Sequence, residues 1–474
     1  MRSVVVIGAG PAGLAAARAA RMAGARVVLL DSADALGGQF WRHLPETRPS
    51  HNEKYLHHGW STFQALSAAL ESDALVRIVR GAPVWAIDTL EGVRVHTIIG
   101  EPDGAQRHHE SFAPDALVLA TGAHDRTLPF PGWDLPGVFT GGAAQALAKG
   151  ERLAVGERVL VAGAGPFLLP VAQSLVRAGS RVLGVLEANR FSHLVRRWSP
   201  KPWQLLGAAG KASELVVYAA GHVRHRIPYR MGHAVIAAHG TDRVESVTTA
   251  RLDADWKPIP GTERTVEVDA VCVSHGFTPR LELAIAAGCE LTPEHFVKVD
   301  AHQRTSTDGV FAAGEITGIG GVDLALAEGE LAGSYAGGTE SEPVSAARRR
   351  RVFTGFARRI EAAHGIRPGW TGWLEDSTVI CRCEEVTLGS LRTTARSTES
   401  ESLRSLKLST RAGLGMCQGR MCGRTVEQLL RSFAPEGSLA DDASSDRRPL
   451  ASPLRLGELA SRPLHTTQGK EQHD

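Results

Sequence analysis

Residues 3–31, SVVVIGAGPAGLAAARAARMAGARVVLLD, decide the fold. A short apolar run (4–7) enters the turn Gly8-Ala9-Gly10-Pro11-Ala12-Gly13. An alanine-rich helical segment follows, and a second apolar run (27–30) ends on Asp31, with Ser32 beyond it. Each glycine has its own task. Gly8 permits the tight strand-to-helix turn, Gly10 lets the backbone approach a pyrophosphate, and Gly13 lets helix and strand pack closely. The helix start offers unpaired N–H groups and a positive dipole end to phosphates. Asp31 closes the second strand where a carboxylate accepts from a ribose hydroxyl. Strand, glycines, helix, strand and acid in this order predict a dinucleotide site.

Three later stretches narrow the reading. Gly37-Gly38-Gln39 follows the acid, 117–122 (LVLATG) is an apolar run ending in Thr121 and Gly122, and 305–315 (TSTDGVFAAGE) is a turn, a strand and the pair Gly314-Glu315. Together with the first fingerprint, over residues 1–340, they resemble the flavoprotein reductases around thioredoxin reductase and rubredoxin reductase. The resemblance implies an α/β fold of two Rossmann-like dinucleotide-binding domains, with FAD on the first fingerprint. It further implies that Gly38, Gln39, Thr121 and Gly122 belong to that site, that the backbone at Val84 holds the adenine, and that Gly314-Glu315 reaches the ribityl-phosphate region. Glu315 stands where the family usually has aspartate, one methylene shorter.

A second unit begins near residue 157. A strand (158–162), the turn Gly163-Ala164-Gly165-Pro166-Phe167-Leu168 and another strand ending on Glu187 repeat the first pattern, but Leu168 replaces the third glycine. A leucine there should push the helix off the strand and crowd the nucleotide's approach. Glu187 suits a 2′-hydroxyl and repels a 2′-phosphate, which disfavours NADPH. NAD(H), another adenine nucleotide, or a purely structural domain stay open.

The chain has 474 residues, more than one typical core, so two to three domains are expected. A net charge of +2 argues against general nucleic-acid binding. The basic, aromatic stretch at 190–235 (Arg196, Arg197, Trp198, Lys201, Trp203, Arg224, His225, Arg226, Tyr229, Arg230) therefore reads as a solvated or partner-facing surface. No run of about 18 apolar residues occurs, so no membrane span is expected. The absence of a signal-like start suggests a cytoplasmic protein. His43, His51, His57 and His58 show no i, i+4 metal pair. The four-arginine run at 348–351 reads as a solvated helix face.

Six cysteines fall into two groups. Cys272 and Cys289 read as ordinary buried thiols, while Cys381, Cys383, Cys417 and Cys422 lie close together in sequence as CRC and CQGRMC. Four thiolates without a nearby histidine suit zinc or an iron–sulfur cluster. The CxC and Cx4C spacing departs from zinc knuckles, and a redox centre is the more useful occupant beside a flavin. Residues 378–430 resemble the bacterioferritin-associated-ferredoxin-like [2Fe–2S] domain, which ordinarily closes with CxxC. No dithiol stands ready to exchange with a flavin, so disulfide-reductase chemistry is excluded.

Over nearly its whole length the chain resembles the larger, cluster-bearing subunit of heteromeric amino-acid dehydrogenases: opine oxidases, D-hydroxyproline dehydrogenase and the glycine-oxidising hydrogen cyanide synthase. That resemblance implies an oxidoreductase for CH–NH or CH–NH2 donors, in which this chain carries electrons. A flavoprotein subunit like glycine or sarcosine oxidase would remove the hydride, and a small ferredoxin-like subunit would complete the assembly. FMN at a subunit boundary stays open, and no catalytic residue is identified. The alternative is a stand-alone NADH-dependent FAD/[2Fe–2S] reductase. The expected layout is an FAD domain (1–135 and 266–340), a second nucleotide-type domain (136–265), a linker with a helix (341–376), the cluster domain (377–430) and an extended tail (431–474).

Overall fold

The structure is a computed structural model that describes residues 1–45, 47–48, 53–102, 104, 106–200, 209–400, 402–433 and 445–460. His51, Lys201 and Trp203 lie outside the described residues. The strand Ser3–Ile7 is buried, as its VVVI run requires, and pairs in parallel with Arg26–Leu30 on one side and Ala116–Leu119 on the other. Val76–Val79 and Val310–Ala312 complete the five-stranded parallel sheet at its two edges. The last of these strands arrives late in the chain, which makes the domain discontinuous. The helix Pro11–Met22 packs against Val322–Ala336 backbone to backbone. A Cβ on Gly329 would stand 2.1 Å from the Ala12 carbonyl oxygen, and one on Gly333 would stand 2.0 Å from that of Ala16. Glycine is obligatory at that crossing.

A second five-stranded parallel sheet runs Tyr229–Met231, Arg181–Glu187, Arg158–Gly163, Ala270–Ser274, Val138–Thr140. Ala270–Ser274 thus pairs with Arg158–Gly163 inside the second unit, and Arg264–Glu267 joins the antiparallel sheet with Ser246–Arg251. The return to the first domain comes after Ser274, not at 266 as the sequence suggested. A strand buried on both faces reads the same in either parallel sheet, so its composition could not assign it. The two crossings between domains, Ala123–Asp125 and Phe277–Pro279, pair with each other antiparallel.

The helix Val344–His364 and the 3-10 turn Pro368–Trp373 lead to the cysteine module. Within the four-arginine run, Arg349 pairs with Glu330, and Arg350 lies near Glu328 and the carbonyls of Asp300 and Ala301. The module holds the hairpin Val379–Cys381/Val386–Thr387 and the helices Leu388–Ser397, Leu403–Thr410 and Gly423–Phe433. Thr387 and Ser402 cap the first two of those helices through their hydroxyls. The tail is docked where it is described. Ala451 is buried and donates to the Trp85 carbonyl, Ser452 donates to Val84, and Glu458 pairs with Arg107. Among the described residues no helix is long and apolar enough to cross a membrane.

Candidate functional site

The first glycine turn is built around close backbone approach. Gly8 has φ +103°, and a Cβ there would stand 2.3 Å from the Ala120 carbonyl oxygen; one on Gly13 would stand 1.7 Å from Gly8 O. Gly10 faces the Cα of Gly38 at 4.0 Å from its missing Cβ, which leaves a bare floor between the two loops. Ala9 N donates to Asp31 Oδ2 at 2.5 Å, and Ala33 N to Oδ1 at 2.8 Å. Burial pushes the Asp31 carboxyl upward against those two hydrogen bonds. Ala82 N donates to the Asp31 carbonyl, which brings the Val84 segment alongside; the Val84 carbonyl itself accepts from Ser452 at 2.9 Å. Ser32 and Gln39 are exposed at the rim, and Thr121 Oγ1 donates to Arg280 O at 2.8 Å beside Gly122.

The far wall is Gly314-Glu315. Gly314 approaches Ala12, and Glu315 Oε1 accepts from Gly321 N at 2.8 Å. Glu315 is half-buried as a residue, yet its Oε2 is sealed from solvent with no partner. Burial first, and the neighbouring Glu328 after it, push the Glu315 carboxyl up to about 7. The bare Gly10–Gly38 floor and this unsatisfied oxygen fit a dinucleotide such as FAD. Sequence reasoning passed over Glu328, which accepts from Gly314 N at 2.9 Å and Thr317 Oγ1 at 2.6 Å. Its signal was a pair of acids, Glu328 and Glu330, inside the otherwise small and apolar run 324–333 (LALAEGELAG).

The second turn is shut. Gly163 and Gly165 are buried, and Glu187 is 0% exposed. Glu187 Oε2 accepts from Gly165 N at 2.9 Å, while Oε1 accepts from the backbone and side-chain nitrogens of Asn189. His364, at the end of the long connecting helix, brings Nδ1 to 3.3 Å from Oε2, in ion-pair reach though not aligned as a hydrogen bond. Its Cβ lies 3.8 Å from where a Cβ on Gly165 would be. Trp256 donates to Asn189 Oδ1, and Trp373 donates to the Trp256 carbonyl, so the connecting segment closes over the same corner. Burial raises the Glu187 carboxyl, but the imidazole of His364 and the donors of Asn189 and Gly165 outweigh it and leave it lowered.

Leu168 acts differently from the expectation. The helix Leu168–Arg177 starts five residues after Gly163, whereas Pro11–Met22 starts three after Gly8. Leu168 points into the core with Val159, Val171 and Leu175. The helix begins later than its counterpart in the first unit, and the side chain that stands over Gly165 is that of His364.

The four module cysteines converge as two pairs. Cys381 hydrogen-bonds with Cys422 and Cys383 with Cys417; Cys381 and Cys422 are buried, Cys383 exposed. The bond from Cys422 lowers the Cys381 thiol to about 6 and holds the Cys422 thiol up. Gly413 N also points at Cys381 Sγ, 3.5 Å away. Gly415 lets the two cysteine segments meet, because a Cβ there would be 2.3 Å from Cys383 Cβ. Among the described residues no three His, Cys, Asp or Glu side chains stand at single-ion spacing. An all-thiol set without histidine fits an iron–sulfur cluster. Cys272 and Cys289 are buried single thiols, and burial raises both. His57 is in ion-pair reach of Glu53 and stacks on Trp60; His58 pairs with Glu214.

Comparison with known proteins agrees with both halves. Residues 2–329 match the pyridine nucleotide-disulphide oxidoreductase family and residues 379–432 the BFD-like [2Fe-2S] binding domain. The chain is 33% identical to an opine oxidase subunit of Agrobacterium tumefaciens (strain Ach5), over 98% of this chain and 92% of that one. It is 32% identical to hydrogen cyanide synthase subunit HcnB of Pseudomonas aeruginosa, over 90% and 92% of the two chains. The crystal structure of L-proline dehydrogenase from P. horikoshii shares the fold, with a TM-score of 0.66 at 21% identity over 97% of this chain and 79% of that one. The first match implies FAD and the second a [2Fe-2S] cluster. This chain is therefore a member of the pyridine nucleotide-disulphide oxidoreductase family, in the branch that carries a BFD-like [2Fe-2S] domain and includes HcnB and the opine oxidase subunit.

Proposed function

We propose that this chain is the electron-transfer subunit of a heteromeric dehydrogenase that oxidises an amino acid or secondary amine. Its single strongest support is the pairing of an open flavin cradle with a second nucleotide turn closed by the chain's own His364. A stand-alone reductase would need that second turn to take NADH. Bound FAD accepts an electron pair and a [2Fe–2S] cluster passes single electrons, which is the chemistry these two groups supply. Gly8, Gly10, Gly13 and Gly38 would give the backbone approach for the pyrophosphate, Asp31 the ribose contact, and Gly314-Glu315 the wall beside the ribityl-phosphate region. Cys381, Cys383, Cys417 and Cys422 would hold the cluster, and Gly415 lets them meet.

The relatives are subunits of larger enzymes, so other chains belong to the assembly. We take the hydride-removing partner to be a flavoprotein resembling glycine or sarcosine oxidase. A small ferredoxin-like third chain completes the assembly. Cluster thiolates suit a reducing compartment, which supports the cytoplasm. The test is anaerobic. NADH mixed with the FAD-loaded chain should leave the flavin absorbance unchanged, while amine substrate plus the partner flavoprotein should bleach it. Rapid bleaching by NADH alone would sink the proposal in favour of the reductase. Cys417→Ser should abolish the cluster spectrum and dye-linked turnover while FAD stays bound.

A further inference from the structure

The loop of four residues between Cys417 and Cys422 carries Arg420. Gln418 (φ +52°) and Gly419 (φ +77°) are both left-handed, which folds the loop back on itself. Gln418 N donates to Gly415 O at 2.8 Å, and Arg420 N donates to Cys417 O at 3.1 Å. Arg420 then reaches three parts of the chain outside the module. Its carbonyl accepts from His124 Nε2 at 2.9 Å, its Nε stands 2.9 Å from Glu282 Oε1, and a terminal guanidinium nitrogen donates to Ala451 O at 2.7 Å. The buried Glu282 carboxylate also takes Arg448 at 3.2 Å.

Two of these groups sit on or just after the strand pair that leaves the flavin turn: His124 in the strand Ala123–Asp125, and Glu282 at the start of the helix that follows Phe277–Pro279. His124 lies two residues after Gly122 and opposite Thr278. Glu282 lies two residues after Arg280, which accepts from Thr121 Oγ1 at 2.8 Å and donates its N–H to Gly122 O at 2.9 Å. Desolvation lowers the pKa of the His124 ring, whose Nε2 donates to the Arg420 carbonyl. Arg420 therefore ties the cysteine loop to both chain segments that leave Thr121-Gly122 and Arg280, to His124 through its carbonyl and to Glu282 through its side chain.

We propose that Arg420 is a positioning residue that seats the cluster loop on this strand pair, so that electrons cross between module and flavin turn over one fixed distance. This rests on the electron-transfer reading above. The test uses the full chain loaded with FAD and cluster, as wild type, Arg420→Ala, Arg420→Lys and Glu282→Gln. The surface variant Arg392→Ala, whose partner is the exposed Asp376, serves as control. Three quantities are read: FAD and cluster content, amide exchange over 413–423 and 123–125, and the rate of cluster reduction after anaerobic photoreduction of the flavin.

Arg420→Ala should keep both groups, raise exchange in the two segments about tenfold and slow internal transfer about tenfold. Arg420→Lys should recover part of the loss, and Arg392→Ala should change nothing. Equal transfer rates in wild type and Arg420→Ala would overturn the role of Arg420 alone. No transfer between the two groups in wild type would overturn the electron-transfer reading itself. If Arg420→Ala sheds its cluster, Glu282→Gln decides: slowed transfer upholds the seat, and wild-type transfer overturns it.

Discussion

The chain writes nearly the same turn twice, GAGPAG at 8–13 and GAGPFL at 163–168, and folds them into opposite states. The first is floored by Gly38 and keeps Asp31 partly open. The second has buried glycines, a Glu187 with 0% exposure, and His364 above Gly165. A fingerprint describes how the backbone can approach a pyrophosphate. Whether a pyrophosphate can arrive depends on what later chain is laid over the turn. In the first turn later chain supplies a wall, Gly314-Glu315; in the second it supplies a plug.

Breaking the first turn should give the largest effect. Gly13→Ala puts a Cβ 1.7 Å from a backbone oxygen that cannot move without the strand, so FAD per chain on purification should fall below about a tenth of wild type. The corresponding change in the second turn runs the other way. Leu168→Gly should lower stability by about 2–5 kcal/mol in denaturant melts by emptying a buried leucine site, with FAD content unchanged and no NADH binding gained. Recovery of NADH binding would mean that the missing glycine, and not the plug, had closed the turn.

The strand–turn–helix units and the four cysteines could be read from sequence because their chemistry is local: glycines at fixed offsets and thiols at fixed spacing. What could not be read depends on distant packing. Ala270–Ser274 is equally apolar for either sheet, and only pairing assigns it to the second. His364 and Glu328 were passed over in the sequence, and only the fold sets one against Glu187 and the other against Gly314. The tail's polar composition suggests an extended run over the surface or over a partner but not which groups it meets, here the Trp85 carbonyl for Ala451 and Arg107 for Glu458.

Removing the plug sharpens the comparison. His364→Ala takes away the imidazole that helps hold the buried Glu187 ionised. Thermal melts should show a loss of about 1–3 kcal/mol, the usual cost of leaving a buried polar group short of a partner. Calorimetric titration should detect no NADH or ATP with wild type and weak binding with the variant. Binding to wild type would erase the difference between the turns. Silence in both would place the closure on the delayed helix Leu168–Arg177 and on the Trp256–Trp373 corner.

The remaining contrast is electrostatic, and it has opposite signs in the two turns. The Glu315 carboxyl is held at about 7, above its ordinary 4.5, so between those values the folded chain binds the proton more tightly than the unfolded one. Its contribution is therefore present below pH 4.5 and lost as pH rises through 7, by at most about 1.4 kcal/mol per pH unit. Glu328, also held at about 7 chiefly by burial, adds to the same slope. Glu187 is lowered, so its contribution is present above the ordinary value of 4.5 and lost on acidification. Melts of the FAD-free chain from pH 4.5 to 7.5 should thus respond differently to two isosteric changes. Glu315→Gln should flatten the fall in stability toward neutral pH, whereas Glu187→Gln should cost stability near pH 7 and little near pH 4. Equal pH profiles for the two variants would mean that the acids of the first and second sites feel the same environment, and the contrast between an open cradle and a plugged turn would fail.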